Sequence, residues 1–335
     1  MASPSAVAVL SIGDMGVGIA RLLISQGFKV VTNVTGRSED TATRARDAGV
    51  ELLATDSDLV AKSAIVLSVV PPRDAAATAQ RIIDALPATS DSARNPLYYA
   101  DLNAVSPATA SEIAALFARA RSPVRFVDGC ILGGPPRQTT TPDPGTNAST
   151  TDEAVPSVPG WVTPGIPTSG PHPIASIPDI GERLSSTLSA SHIAPTVGAA
   201  SGLKMCFASL SKGFTALAVE SFTTAHRLGV LSHLRAELAD RLPLHAQMAE
   251  RSVVTMPPKA YRWVREMEEI SATHRNDGGF ADEAMFRGAA SIYRTIAEDT
   301  VLGEEKIGKR KRGTTLEDLA AAVSDGLDKK RKKTE

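Results

Sequence analysis

The stretch Ala6-Val-Ala-Val-Leu10-Ser-Ile-Gly13-Asp-Met-Gly16-Val-Gly-Ile-Ala-Arg-Leu-Leu-Ile-Ser-Gln-Gly27 runs from an apolar strand through a glycine turn into an amphipathic helix. A dinucleotide-binding turn needs three small residues: one for the tight turn, one for backbone approach to the pyrophosphate, and one for close helix packing. Gly13 and Gly16 fill the second and third places, and Ser11 stands in the first. The stretch therefore predicts a dinucleotide-binding domain, with an ordinary strand-turn-helix crossover as the alternative.

Composition bounds the class of protein. The chain has 335 residues, 42% of them hydrophobic and 22% charged, with a formal net charge of -1. This length suits two domains, and the charge balance argues against nucleic-acid or membrane binding. Cys130 and Cys206 are too few for a disulfide scaffold, and we expect both to be buried small apolar residues. Without a signal-like start or an apolar run of about 20 residues, we expect a soluble, cytoplasmic protein.

The first part of the chain alternates apolar runs with helical patterns, which is typical of a parallel sheet covered on both faces. The expected strands are 7–10, 28–32, 50–53, 65–70, 97–101 and 124–127. The expected helices between them begin at Val17, Asp40, Asp56, Arg73 and Pro107. Apolar pieces at 161–163 and 192–197 flank a helical pattern over 180–188. We therefore predict a Rossmann-type α/β domain over residues 1–197.

The composition then changes twice. Residues 137–160 are rich in Pro, Thr, Ser, Gly and Asn, and we predict a disordered surface insertion there. Beyond residue 197 only helical patterns remain, and they predict an all-α domain over 198–303. The expected helices of this domain are 202–228, 231–250, 259–272 and 281–298.

Residues 304–335 form a basic tail with a short helix expected over 315–327. Its two clusters are Lys309-Arg-Lys-Arg312 and Lys329-Lys-Arg-Lys-Lys333. Such clusters serve in some proteins as nuclear-targeting or polyanion-binding segments. The favoured interpretation is a solvated, poorly ordered terminus.

The end of the second strand indicates the cofactor. An NAD-binding domain carries a carboxylate there for the ribose 2′-hydroxyl. This chain instead has Asn33-Val-Thr35-Gly-Arg37-Ser38, whose guanidinium and hydroxyls suit a 2′-phosphate. We therefore predict NADP (NADPH) rather than NAD, with an exposed turn arginine as the alternative. The loops at Val70-Pro71 and Asn103 follow the next strands and are expected to line the same cleft.

Lys204 is the candidate acid-base residue. It follows the small residues Gly198-Ala-Ala-Ser201-Gly202 inside the expected first turn of a long helix. The positive end of the helix dipole opposes a cation there, so its presence favours a role as general acid or base. The amides of the same turn are expected to hold a substrate carboxylate. The alternative is a lysine that extends to solvent.

Together these residues resemble the β-hydroxyacid dehydrogenases, the family of 6-phosphogluconate and 3-hydroxyisobutyrate dehydrogenases. The family's opening Gly-x-Gly-x-Met-Gly corresponds to Ser11-Ile-Gly13-Asp14-Met15-Gly16, and its mid-sheet loop to Val69-Val70-Pro71. The substrate loop Asp-x-x-x-Ser-Gly-Gly becomes Asp128-Gly-Cys-Ile-Leu132-Gly133-Gly134, and the lysine with asparagine four residues later becomes Lys204 and Ala208. Lys259-Ala-Tyr-Arg-Trp-Val264 is similar to a branch whose helical C-terminal domain is 6-phosphogluconate dehydrogenase-like.

The resemblance implies that Lys204 takes a proton from a substrate hydroxyl while hydride passes to the nicotinamide, or donates it in reverse. It also implies a homodimer formed through the helical domain. The expected cofactor-binding residues are Ser11, Gly13, Asp14, Met15, Gly16, Arg37, Ser38, Val70, Pro71 and Asn103. The expected substrate-binding residues are Leu132, Gly133, Gly134, Ala208 and Lys212.

Leu132 and Ala208 depart from the family pattern, since they replace a serine and an asparagine. Both changes remove hydrogen bonds, so the usual small 3-hydroxy acids are not the expected substrates. One alternative is therefore an inactive NADP-binding sensor or interaction protein of the same fold. Another is acyl transfer by Ser201-Gly-Leu-Lys204, although the companion motifs of such enzymes are absent. The six histidines lack metal-ligand spacing, and we expect no metal.

Overall fold

The computed structural model describes residues 6–87, 95–120, 124–139, 158–306 and 309–334. The chain separates into two compact units, 1–204 and 205–335. The first unit is built on an eight-stranded sheet, and the described part of the second is helical. None of the described helices is long and apolar enough to cross a bilayer.

The sheet of the first unit has the strand order β10-β9-β6-β5-β4-β1-β2-β3. Strands β1 to β6 are mutually parallel, β9 runs antiparallel to β6, and β10 is parallel to β9. The order 3-2-1-4-5-6 within it is that of the Rossmann fold, so the predicted fold class is confirmed. The strands of this sheet are β1 Ala6–Leu10, β2 Val30–Thr32, β3 Glu51–Leu52, β4 Ser63–Ser68, β5 Leu97–Asp101, β6 Val124–Gly129, β9 Ile166–Ser169 and β10 Ala190–Ala194.

Helices cover both faces of this sheet. Successive residues of a strand point to opposite faces, so Val7 and Val9 of β1 pack in one core while Ala8 and Leu10 pack in the other. This double burial explains why the strands lack polar alternation. The helices of the first unit are α1 Asp14–Ser25, α2 Glu39–Asp47, α3 Asp56–Lys62, α4 Ala75–Asp84, α5 Pro107–Ala118 and α6 Gly181–Thr187.

Two features of this unit differ from the sequence prediction. Strand β9 was not expected, because Ile166-Pro-Thr-Ser169 carries little apolar signal and its pairing with β6 is non-local. The disordered insertion predicted over 137–160 is wrong at its two ends. There β7 (Arg137–Gln138) pairs with β8 (Trp161–Val162), and Trp161 is buried with Val158. The remainder of the insertion, 140–157, lies outside the described residues.

The second unit contains most of the long helix α7 (Ala199–Arg227), which starts in the first unit. The helix predicted over 231–250 is two helices, because Pro243 lacks an N–H and disfavours helical backbone at Leu242. The helix predicted over 281–298 begins at Met285 and ends in a π-helical turn, Thr295–Asp299. The remaining helices are α8 Leu231–Arg241, α9 Pro243–Thr255, α10 Ala260–Asn276, α11 Met285–Arg294 and α12 Leu316–Thr334.

The basic tail is part of this unit, so the interpretation as a poorly ordered terminus is wrong for α12. This helix is longer than predicted and buries Leu319 and Val323. Arg312 forms a two-oxygen ion pair with Asp318, at 2.7 Å for the shortest contact. Lys330 likewise pairs with Asp299 at 2.7 Å, so these two cations of the tail have carboxylate partners within the unit, which leaves less net charge for a polyanion.

Candidate cofactor cleft and lysine site

The glycine turn between β1 and α1 lies at the carboxyl edge of the sheet, where ligands of open α/β sheets bind. A Cβ atom on Gly16 would lie 1.9 Å from the carbonyl oxygen of Ser11, so this position admits only glycine. Gly13 has no heavy atom within 4 Å of its would-be Cβ, which leaves room for a ligand at the N-terminus of α1. Asp14 is exposed at the first helical position, and Met15 packs partly against the core.

One pocket beside this turn brings together three of the predicted cofactor residues, Ser11, Arg37 and Val70. Arg37 lies in a turn closed by its N–H to the Val34 oxygen, at 2.9 Å. Ser38 follows as the N-cap residue of α2, and its hydroxyl lies 3.1 Å from that of Thr41. Arg37 and Thr41, in the first turn of α2, both line the pocket, so a cationic residue and a helix N-terminus lie side by side there, and both favour an anion.

Asn103 is buried, and its side chain is engaged by the neighbouring loop. Its Oδ1 accepts a hydrogen bond from the Val70 N–H at 2.7 Å, and its Nδ2 donates to the Ser68 hydroxyl at 2.9 Å. Pro71 ends this loop as the N-cap residue of a short 3-10 helix, Pro72–Asp74. Asn103 thus supports the shape of the Val70-Pro71 loop, and its contact with a cofactor stays a prediction.

Asp101 ends β5 and is a buried carboxyl that the sequence reasoning did not single out. Its Oδ1 accepts the Asn103 N–H at 2.9 Å, and its other oxygen is buried without a hydrogen-bond partner. Burial raises the pKa of Asp101 to about 7, against the lowering effect of the Asn103 hydrogen bonds. Asp101 therefore titrates near neutral pH at the edge of the cleft.

Asp128 is fully buried at the carboxyl end of β6 and clamps the start of α7. Its Oδ2 accepts from the Ser169 hydroxyl at 2.8 Å, from the Gly198 N–H at 2.8 Å and from the Ser201 N–H at 3.3 Å. Its Oδ1 accepts from the Ser201 hydroxyl at 2.5 Å. The carboxylate thus satisfies N–H groups that a helix start leaves unpaired.

This clamp corrects two expectations. The Gly198 and Ser201 amides donate to Asp128, and the Ala200 amide donates to the Ser169 hydroxyl at 3.0 Å, so none of the three points at a substrate carboxylate. Ser201 is fully buried and donates its hydroxyl to Asp128. Such a serine is not placed as a nucleophile, which removes the support for acyl transfer.

Lys204 lies in the second turn of α7 rather than in the first, because the helix begins at Ala199. Its Nζ donates to the Ile131 carbonyl oxygen at 2.6 Å. Ile131 directly precedes the predicted substrate loop Leu132-Gly133-Gly134. The fold therefore brings the candidate acid-base residue to the loop expected to hold the substrate, across more than seventy residues of sequence.

The substrate loop itself is anchored on both sides. The Leu132 N–H and carbonyl pair with Gly165 at 2.9 and 3.0 Å, which leaves Gly133 and Gly134 exposed beyond the pair. Further along, Pro136 approaches α1 so closely that a Cβ on Gly18 would lie 3.0 Å from it. Gly18 is thus, after Gly16, a second glycine of the opening stretch that close packing constrains, and the sequence alone did not indicate it.

The two cysteines differ in their exposure to solvent. Cys130 is buried as expected, and burial raises the pKa of its thiol to about 12, so it is a neutral neighbour of Lys204. Cys206 is exposed, so the expectation that both cysteines are buried is wrong for Cys206. It lies on a face of α7 that also exposes Phe207.

In the second unit Ala208 is buried, and Lys212 forms an ion pair with the buried carboxylate of Glu266. The Lys212 ammonium also lies 5.1 Å from the ring centre of Trp263. Its charge is thus balanced within the helical unit, and its contact with substrate stays a prediction. In the part of the chain that the structure describes, no group of three or more His, Cys, Asp or Glu side chains is arranged to hold a metal ion.

Comparison with known proteins shows which families and which solved structures the chain is similar to. Residues 6–90 match the model of a family described as NADP oxidoreductase, coenzyme F420-dependent, and residues 225–296 match a domain of unknown function (DUF1932). No curated protein matches the chain. A 3-hydroxyisobutyrate dehydrogenase from Mycobacterium tuberculosis is 17% identical, with a TM-score of 0.58 over 96% of this chain and 98% of that one.

Two further solved structures support the same fold. The conserved protein MTH1747, described as structurally similar to 3-hydroxyacid dehydrogenases, is 24% identical with a TM-score of 0.54 over 87% of this chain and 96% of its own. A conserved hypothetical protein from Sinorhizobium meliloti is 20% identical with a TM-score of 0.58 over 97% of this chain and 98% of its own. The chain has the fold of the 3-hydroxyacid dehydrogenases. The resemblance that the motifs indicated is thereby confirmed.

The Asp128 clamp makes a testable contribution to stability. Asp128→Ala leaves the Ser169 hydroxyl and two amides of α7 without an acceptor, so we expect the free energy of unfolding to fall by about 3 kcal/mol or more. Asp128→Asn keeps a carbonyl oxygen for these donors and should cost about 1 kcal/mol. Urea unfolding measures both variants. Native stability of Asp128→Ala would show that the hydrogen bonds of Asp128 contribute nothing.

Proposed function

We propose that this chain is an NADP-dependent oxidoreductase of the β-hydroxyacid dehydrogenase type, which transfers hydride between the nicotinamide and a small hydroxy, keto or related substrate. The observation that carries the proposal is the hydrogen bond from Lys204 to Ile131, next to the Leu132-Gly133-Gly134 loop. This pair lies in the same unit as the glycine turn and the Arg37 pocket.

The residues of the cleft fit a dinucleotide phosphate. The open space at Gly13 and the N-terminal amides of α1 suit the pyrophosphate, and Arg37 with Ser38 suits a 2′-phosphate. The match of residues 6–90 to an NADP oxidoreductase family supports the same choice. NADP bound there would supply or accept the hydride.

Lys204 would hold and move the proton. Its ammonium is held at the substrate loop by the Ile131 oxygen, and an ammonium carries three N–H donors with which it can also bond a substrate oxygen or nitrogen. The ammonium would donate a proton to the developing alkoxide in reduction, and the neutral amine would take it back in oxidation. Leu132 in place of a serine makes the neighbouring wall apolar and favours a substrate less polar than a small 3-hydroxy acid.

Arg37 tests the choice of cofactor. We expect Arg37→Ala to weaken NADPH binding about tenfold or more, because a charge-assisted bond to the 2′-phosphate is lost. NADH, which lacks that phosphate, should bind with nearly unchanged affinity. Fluorescence titration measures both dissociation constants. An equal loss for the two cofactors would contradict the assignment of Arg37 to the 2′-phosphate.

Lys204 tests the chemistry. With a panel of aldehydes, keto acids and cyclic imines, the native chain is expected to oxidise NADPH, and Lys204→Met should reduce the rate by about 100-fold or more with NADPH affinity unchanged. Lys204→Arg keeps the charge but cannot exchange the proton at neutral pH, so it should be equally impaired. NADPH binding without turnover on any substrate would instead support the sensor, the alternative function of this fold.

A homodimer is the expected assembly, since the second unit exposes a row of large apolar side chains. Phe207, Leu210 and Leu217 follow one face of α7, and Leu210 is 80% exposed. Exposed apolar rows of this kind mark partner surfaces. Sedimentation velocity should find a dimer that Leu210→Glu dissociates, and a native monomer at micromolar concentration would refute this assembly. The cytoplasmic location stays a prediction from the sequence.

A further inference from the structure

A carboxylate from another part of the chain lies behind the pocket beside Arg37, where it is hydrogen-bonded to two of the residues that line it. Asp56 is the first residue of α3, and its Oδ1 accepts a hydrogen bond from the Asn33 Nδ2 at 2.8 Å. Asn33 follows β2, where NAD-binding domains carry the carboxylate that recognises the ribose hydroxyls. The negative charge of Asp56 therefore lies one hydrogen bond away from the side chain of Asn33.

Arg81 of α4 pairs with this carboxylate through two hydrogen bonds. Its Nε donates to the Asp56 Oδ2 at 3.1 Å, and its terminal nitrogen donates to the Oδ1 at 2.9 Å. The Asp56 side chain is only 20% exposed, which strengthens the pair relative to one in open solvent. Arg81, Asn33 and Arg37 all line the same pocket.

The pair also holds Asn33 in one orientation. Because the Asn33 Nδ2 donates to Asp56, its Oδ1 is left to accept the Thr35 N–H at 2.9 Å. That bond shapes the turn which ends at Arg37. The group of Asn33, Asp56 and Arg81 therefore controls both the charge and the backbone geometry next to the expected 2′-phosphate position.

We propose that Arg81 is a specificity-determining residue, which favours NADP over NAD by neutralising the Asp56 carboxylate. This inference rests on the proposed binding of NADP at Arg37. An unpaired Asp56 would repel the 2′-phosphate and would favour a ribose that carries only hydroxyls. Paired with Arg81 it adds almost no net charge to the pocket, while its hydrogen bond to Asn33 is kept.

Asp74 also brings a carboxylate to the pocket, which it lines directly. Its carboxylate lies 3.7 Å from the Arg73 guanidinium. It takes part in none of the hydrogen bonds of Asn33 and Asp56 described above. It is unchanged in every variant below, so its charge contributes equally to all of them.

The test compares four variants by titration with NADPH and with NADH. Arg81→Gln should weaken NADPH binding about fivefold and leave NADH equal or tighter, because the Asp56 charge is exposed. Adding Asp56→Asn to Arg81→Gln should return NADPH affinity to within about twofold of the native chain. Asp56→Asn alone should bind NADPH at least as well as the native chain does. Arg21→Gln removes an exposed charge of α1 and is the matched control, expected to change neither affinity.

The double variant decides between two roles of Arg81. Restored NADPH affinity supports neutralisation of Asp56, whereas an affinity as weak as that of Arg81→Gln alone would show that Arg81 binds the phosphate directly and would overturn the inference. Thermal unfolding of each variant checks that the cleft is folded. Failure of the proposed function is distinguishable, since it would be seen as a native chain that binds NADPH no better than NADH.

Discussion

Both oxygens of the buried Asp128 carboxylate accept hydrogen bonds from the start of α7 and from Ser169, and the position of Lys204 depends on these bonds. A helix start leaves N–H groups that must be satisfied, and an acceptor at the end of β6 fixes where α7 begins. With that start fixed, the second turn carries Lys204 to the Ile131 oxygen. One interaction thus positions the lysine and at the same time removes the first-turn amides from substrate binding.

The carboxyl edge of the sheet carries two buried carboxyl groups on neighbouring strands, and the two groups differ in their hydrogen bonds. Asp101 and Asp128 are paired in register on β5 and β6. Both oxygens of Asp128 accept hydrogen bonds, whereas Asp101 has one oxygen without a partner and a pKa raised by burial to about 7. Like charges on adjacent strands repel, so the neighbouring Asp128 adds to the burial that raises the pKa of Asp101.

Much of the fold could be predicted because burial on both faces leaves an unmistakable apolar pattern in β1, β4 and β5. The same pattern is missing from β9, whose pairing partner is distant in sequence and whose residues are small or polar. The break at Pro243 arises because a proline disfavours helical backbone at the residue before it. The helical periodicity of the sequence continues across this position and does not show the break. The ends of the insertion escaped prediction because Trp161 is buried against Leu22 of α1, a contact that composition does not encode.

The candidate site, like the fold, has one part that could be predicted from the sequence and another that could not. Lys204, Arg37 and the glycines could be found from sequence, since each is a chemical type at a recognisable spacing. The net charge that a cofactor would meet in the cleft could not be predicted from sequence. The residue at position 33 indicates only that no carboxylate stands there. The structure places Asp56, 23 residues further along the chain, behind Asn33, and it places Arg81, another 25 residues along, against Asp56. Cofactor choice in such a cleft therefore depends on the sum of charges that three segments bring together, and a single motif position gives only one part of that sum.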